Sequence, residues 1–185
     1  MTTPERLAAA AATQGLILRL QVRRPVGLGW TLRVGVAARQ PTALLLLGEL
    51  KGWALPSPAG LRLDTMRVQP GADAAVGPLI WAATFAWALQ ATPCRRARLL
   101  AIRDDDRQHR RLVRYFRRLG FQPLRELGGS PGDLAPRMLW GGSGLLMEGP
   151  CLEGLRRSSR TLAPLLRCPI GDVNAAAEFG PAGSG

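Results

Sequence analysis

Residues 96–125, RARLLAIRDDDRQHRRLVRYFRRLGFQPLR, decide how the chain is read. The apolar run to Ile102 predicts a strand over 97–102. Asp104, Asp105 and Asp106 then stand where a helix needs acceptors for its free N–H groups. From Arg107 onward, Leu112, Phe116 and Leu119 recur at helical spacing with Val113 and Tyr115 beside them. Arg107, Arg110, Arg111, Arg114, Arg117 and Arg118 fill the opposite side. Gly120 stops the helix as a left-handed cap, and Phe121 opens another extended run. Strand, helix and strand in this order make a crossover unit.

Upstream, LRLDTMRVQP at 61–70 predicts a strand with Leu61, Leu63 and Thr65 on one side and Arg62, Asp64 and Met66 on the other. Residues 74–94 carry one stretch without charge. Gly77 and Pro78 mark a loop-to-helix boundary and Pro93 closes the far end, leaving a helix over 78–91 that is ~21 Å long at ~1.5 Å per residue. A bilayer needs ~20 apolar residues, so no membrane span is expected. The helix is apolar nearly all round, which implies cover on more than one face. Either its own domain buries it, or Trp81 or Trp87 meets a protein partner or a second copy in a homodimer.

At the start, MTTPERLAAAAATQ reads as a helix capped by Thr3 before Pro4, its alanine run too weakly apolar for a secretory core. GLILRLQV at 15–22 and WTLRVGVAAR at 30–39 predict a hairpin, and TALLLLGEL at 42–50 a buried strand. FQPLRELG at 121–128 and RMLWGGSGLLM at 137–147 predict the last two strands, with Gly141, Gly142 and Gly144 forming a bulge or a close backbone approach. CLEGLRRSSRTLAPLLRC at 151–168 predicts a short basic amphipathic helix, and NAAAEFGPAGSG at 174–185 a flexible end. The expected organisation is an N-terminal helix at 1–14, an α/β domain at 15–148 and a basic extension at 149–185.

RLVRYFRRLGF at 111–121 resembles the late helix of the GNAT acetyltransferases. The strand, loop, long helix and strand before it resemble that family's cofactor-binding half, over roughly 58–148. The resemblance implies a GNAT-like mixed central sheet with helices on both faces, and transfer of an acetyl group from acetyl-CoA to an unknown amine. It also implies a cofactor cleft between 61–68 and 97–102, where Met66 and Val68 meet the pantetheine arm. The loop of Ala72, Ala74, Ala75, Val76 and Gly77 would receive the pyrophosphate on backbone N–H groups, as a helix start favours anions. Of the family's loop pattern only Gly77 is kept. Ala72 stands at its Gln/Arg position, Ala75 at its first Gly, and Asp73 would repel an anion. Phe116 takes the place of the tyrosine that reprotonates the thiolate, with Tyr115 its neighbour turned by ~100°. His109 takes the place of an asparagine. Asp64 and Glu49 are the candidate bases. Two helices usual between the first and second strands do not fit between Val22 and Trp30. The alternative is a GNAT-fold binding or assembly factor without catalysis, acting through the apolar helix and the arginine face.

With 46% hydrophobic residues, 185 residues can build one core. The net charge of +12 invites an acidic partner, but Lys51 is the only lysine, an arginine bias that a GC-rich genome explains. The arginine stripe is a solvated face, or a site for CoA phosphate, RNA or an acidic protein. Aromatic residues make up 5%, too few for nucleic-acid recognition built on stacking. Cys94, Cys151 and Cys168 are odd in number and lack metal-ligand spacing, so no metal site or disulfide framework is expected and a reducing cytoplasm fits.

Overall fold

Thr3 starts helix α1 (Pro4–Ala12) by accepting the Arg6 backbone N–H on its hydroxyl at 3.3 Å, and Pro4 occupies the first turn. A computed structural model describes residues 2–166. The expectations for Cys168 and for 174–185 lie outside the described residues. Strands β1 (Leu16–Arg23) and β2 (Trp30–Arg39) form the expected hairpin, with Leu16 opposite Ala38 and Arg23 opposite Thr31. Only a 3-10 turn at Pro25–Gly27 stands between them.

Strand β3 (Leu44–Ala54) runs antiparallel to β2 and is longer than the sequence indicates. Its first residues correct the expectation of a buried strand, because Leu44, Leu45 and Leu46 are exposed. They pair with β2 alone, since pairing with β4 (Leu61–Val68) begins only at Gly48. Strand β5 (Arg96–Ile102) lies parallel to β4, and β7 (Gly144–Pro150) lies antiparallel between β5 and β6 (Gln122–Leu127). The result is one mixed sheet in the order β1-β2-β3-β4-β5-β7-β6.

The helix α2 (Val76–Ala91) crosses between β4 and β5, and every residue from Leu79 to Ala88 is buried. The sheet lies beneath it and α1 and α5 (Cys151–Thr161) lie beside it. Its apolar circumference is therefore satisfied inside one domain, with Trp81 at 1% and Trp87 at 7% exposure. Neither tryptophan is therefore exposed to meet a partner in this fold. Leu155 and Leu162 join the same core, and the last described helix is α6 (Ala163–Leu166).

The helix α3 (Asp106–Arg118) begins where the Asp105 carboxylate accepts the Gln108 N–H at 2.8 Å, and Gly120 leaves it at φ 100°. Arg157 of α5 donates to the Arg117 and Arg118 carbonyls, closing the C-terminal end. Phe116 meets Trp81 edge-on at 6.3 Å, so α2 and α3 share one face of the sheet.

A further correction concerns 137–147. Residues 137–140 belong to a short helix, α4 (Leu134–Trp140), and the strand starts only at Gly144. Gly141 caps α4 in the left-handed region at φ 76°, which ends the helix before the strand begins. A Cβ at Gly144 would run into the Ala101 carbonyl oxygen, so the expected close approach is present there. Trp140 lies over Arg62, whose neighbours Leu61 and Leu63 point into the α2 core. By strand alternation α4 therefore covers the opposite face. Helices occupy both faces, but among the described residues the second face of β1 to β3 stays open, with Arg19, Arg23, Thr31, Arg33 and Lys51 exposed. Among the described residues no helix is long and apolar enough to cross a membrane.

Candidate functional site

Strands β4 and β5 pair at three positions only, Leu61 with Ala97, Arg62 with Arg98 and Leu63 with Leu99. Just past them β4 carries a bulge. Gly52 of β3 faces Leu63 and Lys51 faces Thr65, which leaves Asp64 as the extra residue. One extra residue reverses the alternation beyond it. Met66 consequently packs against the core instead of sharing a face with Arg62, a correction to the simple period-two expectation.

Where the two strands part, a cleft of about 440 Å³ opens toward the start of α2 and the middle of α3. It brings together Met66, Val68, Ala72, Ala74 and Gly77 with Tyr115 and Phe116, while Asp73, Pro78 and Leu112 complete its wall. The wall is mostly apolar, and Asp73 is its one charged residue. The Asp73 carboxylate accepts the Ala75 N–H at 2.7 Å, and its carbonyl accepts the Val76 N–H at 3.0 Å. Two amides that an anion would use at this helix start are thus already engaged. Val76 turns its side chain into the core, fully buried, and Ala75 lies behind the wall.

Tyr115 and Phe116 both reach the cleft with α3 as it stands. The offset of ~100° between neighbours on a helix does not separate them, because the cleft spans both directions. The Tyr115 hydroxyl accepts the Trp81 indole N–H at 2.7 Å, which leaves its own proton free for donation. Burial raises the Tyr115 pKa, with the Trp81 bond acting the other way, so the phenol keeps that proton at neutral pH. His109 is elsewhere. Its buried ring places Nδ1 3.2 Å from the Ile102 carbonyl and ties α3 to the end of β5.

The two candidate bases are separated by their partners. Glu49 sits between Arg33 at 2.7 Å and Lys51 at 3.7 Å, and the Arg33 hydrogen bond holds its carboxyl below the usual range. Asp64 faces a second cleft of about 400 Å³ on the other side of the sheet, walled by Trp53, Thr31, Arg33 and Lys51. Burial there raises its carboxyl, and Arg62 and the Trp53 indole act against that shift. A raised carboxylate is the better proton acceptor of the two.

Sequence reasoning missed the surroundings of Arg62. Its guanidinium is buried between Trp53 at 5.0 Å and Trp140 at 3.5 Å, and among the described residues Nε and Nη2 have no hydrogen-bond partner. Trp53 is legible only through its register opposite Arg62, which no local pattern reveals. Cys94 and Cys151 are buried and form no disulfide among the described residues, and burial pushes the Cys151 thiol up to about 12, far from a nucleophile's range. Among the described residues no cluster of three His, Cys, Asp or Glu could hold a metal ion. No protein-family model matches the chain, and no curated protein shows significant similarity to it.

Proposed function

We propose that the chain is an acyl-CoA-dependent N-acyltransferase of GNAT-like build that acetylates an amine. The observation that carries this is the parting of β4 and β5 beyond Leu63, with Met66, Val68, Ala72, Ala74, Gly77, Tyr115 and Phe116 around one cleft. The parallel β4-α2-β5 crossover beside the bulge also supports it. The apolar wall and its volume fit a pantetheine-sized arm, whereas Asp73 opposes a pyrophosphate at the loop.

Acetyl-CoA would supply the activated acetyl thioester. The thioester would lie in the gap where β4 and β5 part, so that Asp64, from the second face, takes the proton that the amine loses as its nitrogen bonds to the acyl carbon. Tyr115 gives its proton to the sulfur as the carbon–sulfur bond breaks, and Trp81 holds the phenol in place meanwhile. Loss of a positioned acid or base costs roughly 10²–10⁴ in rate. Steady-state acetylation of an amine panel should therefore fall at least about a hundredfold in Asp64→Asn and in Tyr115→Phe. Acetylation equal to wild type in both variants would remove their assigned roles.

One observation favours a second reading. On that reading Asp73, which holds the Ala75 amide, keeps a pyrophosphate out, and the protein is a GNAT-fold binding or assembly factor without catalysis. Burial of α2 takes the apolar helix out of that reading and leaves the arginine face of α3. Its six arginines are exposed, and among the described residues none lies within ion-pair distance of a carboxylate. No binding of acetyl-CoA by the wild type would select it, whereas affinity for RNA that falls steeply with salt, and falls again in Arg110→Gln/Arg114→Gln/Arg117→Gln, would select a basic RNA-binding module instead.

A further inference from the structure

Among the described residues, the open part of the second face holds cations that the reaction does not use. Strand register sets them side by side: Arg23 faces Thr31 and Thr31 faces Trp53, while in the next row Gln21 faces Arg33 and Arg33 faces Lys51. These two rows wall the cleft that contains Asp64. Three cations, Arg23, Arg33 and Lys51, thus surround a single carboxylate in that wall. Glu49 answers Arg33 and Lys51 from the row beyond, outside the cleft. Behind Trp53 the Arg62 guanidinium adds a fourth positive charge, buried and, among the described residues, without a hydrogen-bond partner at Nε or Nη2. A cationic amine alone would be repelled by this surface, and only Asp64 would attract it. A ligand with an amine at one end and an anion at the other satisfies both parts of the wall.

We propose that the acceptor is a small primary amine bearing a phosphate or carboxylate, held in the second-face cleft with its anion on Arg33, Lys51 and Arg23 and its nitrogen at Asp64. This rests on the acyltransferase reading for the fate of the amine, but not for its binding. The cleft volume of about 400 Å³ lies within the range of small-ligand pockets.

The chain offers separate reporters for its two clefts. Five tryptophans give five indole N–H signals. Trp53 lines the second-face cleft, and the Trp81 indole is bonded to Tyr115 in the other. The full-length ¹⁵N-labelled protein is titrated with phosphoethanolamine, β-alanine, ethanolamine and spermidine, and separately with acetyl-CoA, with Trp53→Phe and Trp81→Phe to assign the signals. Phosphoethanolamine or β-alanine should shift Trp53 saturably, and ethanolamine and spermidine should not. A response to only one of the two anionic amines identifies the anion. Arg33→Gln and Lys51→Gln, both at exposed positions, should weaken that binding at least tenfold each. The proposal is overturned if neither anionic amine shifts Trp53, if ethanolamine or spermidine binds as well, or if both variants bind like wild type. A Trp81 signal silent to acetyl-CoA, beside a responsive Trp53, would remove the acyltransferase reading and leave the anion site standing.

Discussion

Replacing Asp73 by asparagine should improve acetyl-CoA binding. The Asp73 carboxylate lies 2.7 Å from the Ala75 amide, so a phosphate oxygen reaching that helix start comes within ~4 Å of a negative charge. Two unit charges at that separation repel by ~1 kcal/mol in water, and by more where the wall excludes it. A pyrophosphate brings about two such charges, so the gain is ~1–2 kcal/mol, or roughly five- to thirtyfold in Kd. An asparagine keeps an oxygen for the Ala75 N–H, so the loop conformation is retained while the charge is removed. Kd would be read from quenching of intrinsic fluorescence at low and at physiological salt. The difference between the wild type and Asp73→Asn should shrink as salt rises, because Asp73 is exposed and screening acts on exposed charges. Equal or weaker binding by Asp73→Asn at low salt would refute the placement of the pyrophosphate at this loop.

Gly52→Ala tests the bulge, since the added Cβ would run into the Arg62 carbonyl oxygen. It should cost ~1–3 kcal/mol and lower Tm by roughly 2–10 °C, and an unchanged Tm in calorimetry would contradict the register described. Asp64 sets a pH dependence. Burial raises its pKa, so the base becomes ionised only as pH rises through a value above the ordinary carboxyl, and kcat/KM should climb along that limb. Stability should move the opposite way, because the folded state holds this proton more tightly than the unfolded chain and loses that advantage over the same interval. Asp64→Asn should abolish both trends, and a limb at the same pH in the variant would assign it to another group. Gly154→Val should destabilise by more than ~1 kcal/mol, because a Cβ there already lies 2.5 Å from the buried Phe85 ring. Chemical denaturation with an unshifted midpoint would show that α5 does not pack on α2 as described.

The helix α3 is legible in the sequence because three signals coincide on it: an aspartate cap, an apolar stripe opposite arginines, and Gly120 at the end. The hairpin of β1 and β2 is legible from alternation, and α2 from its length between Pro78 and Pro93. The bulge at Asp64 is not, because nothing in LRLDTMRV distinguishes a regular strand from one with an extra residue. Missing it put Met66 on the wrong face and hid the separation of the two clefts. Residues 137–140 read as strand because Met, Leu and Trp suit either state, and the deciding feature is the left-handed Gly141. Tyr115 and Phe116 point out a different limit. Helical spacing sets the angle between them but not the width of the cleft they share. The second-face cleft depends on register across four strands, a non-local property, so Arg23, Arg33, Lys51 and Trp53 carried no signal of their own.

On the proposed function an acyl-CoA enters where β4 and β5 part. Calorimetric titration of the protein with acetyl-CoA, beside Gly77→Asp, tests it most directly. A Cβ at Gly77 meets nothing closer than 3.8 Å, from Met66 and Tyr115, so the variant should fold while placing a carboxylate in the cleft. Saturable binding to the wild type with one site per chain, and its loss in Gly77→Asp, are expected. Absence of binding to the wild type, or equal binding by both proteins, would contradict the proposal.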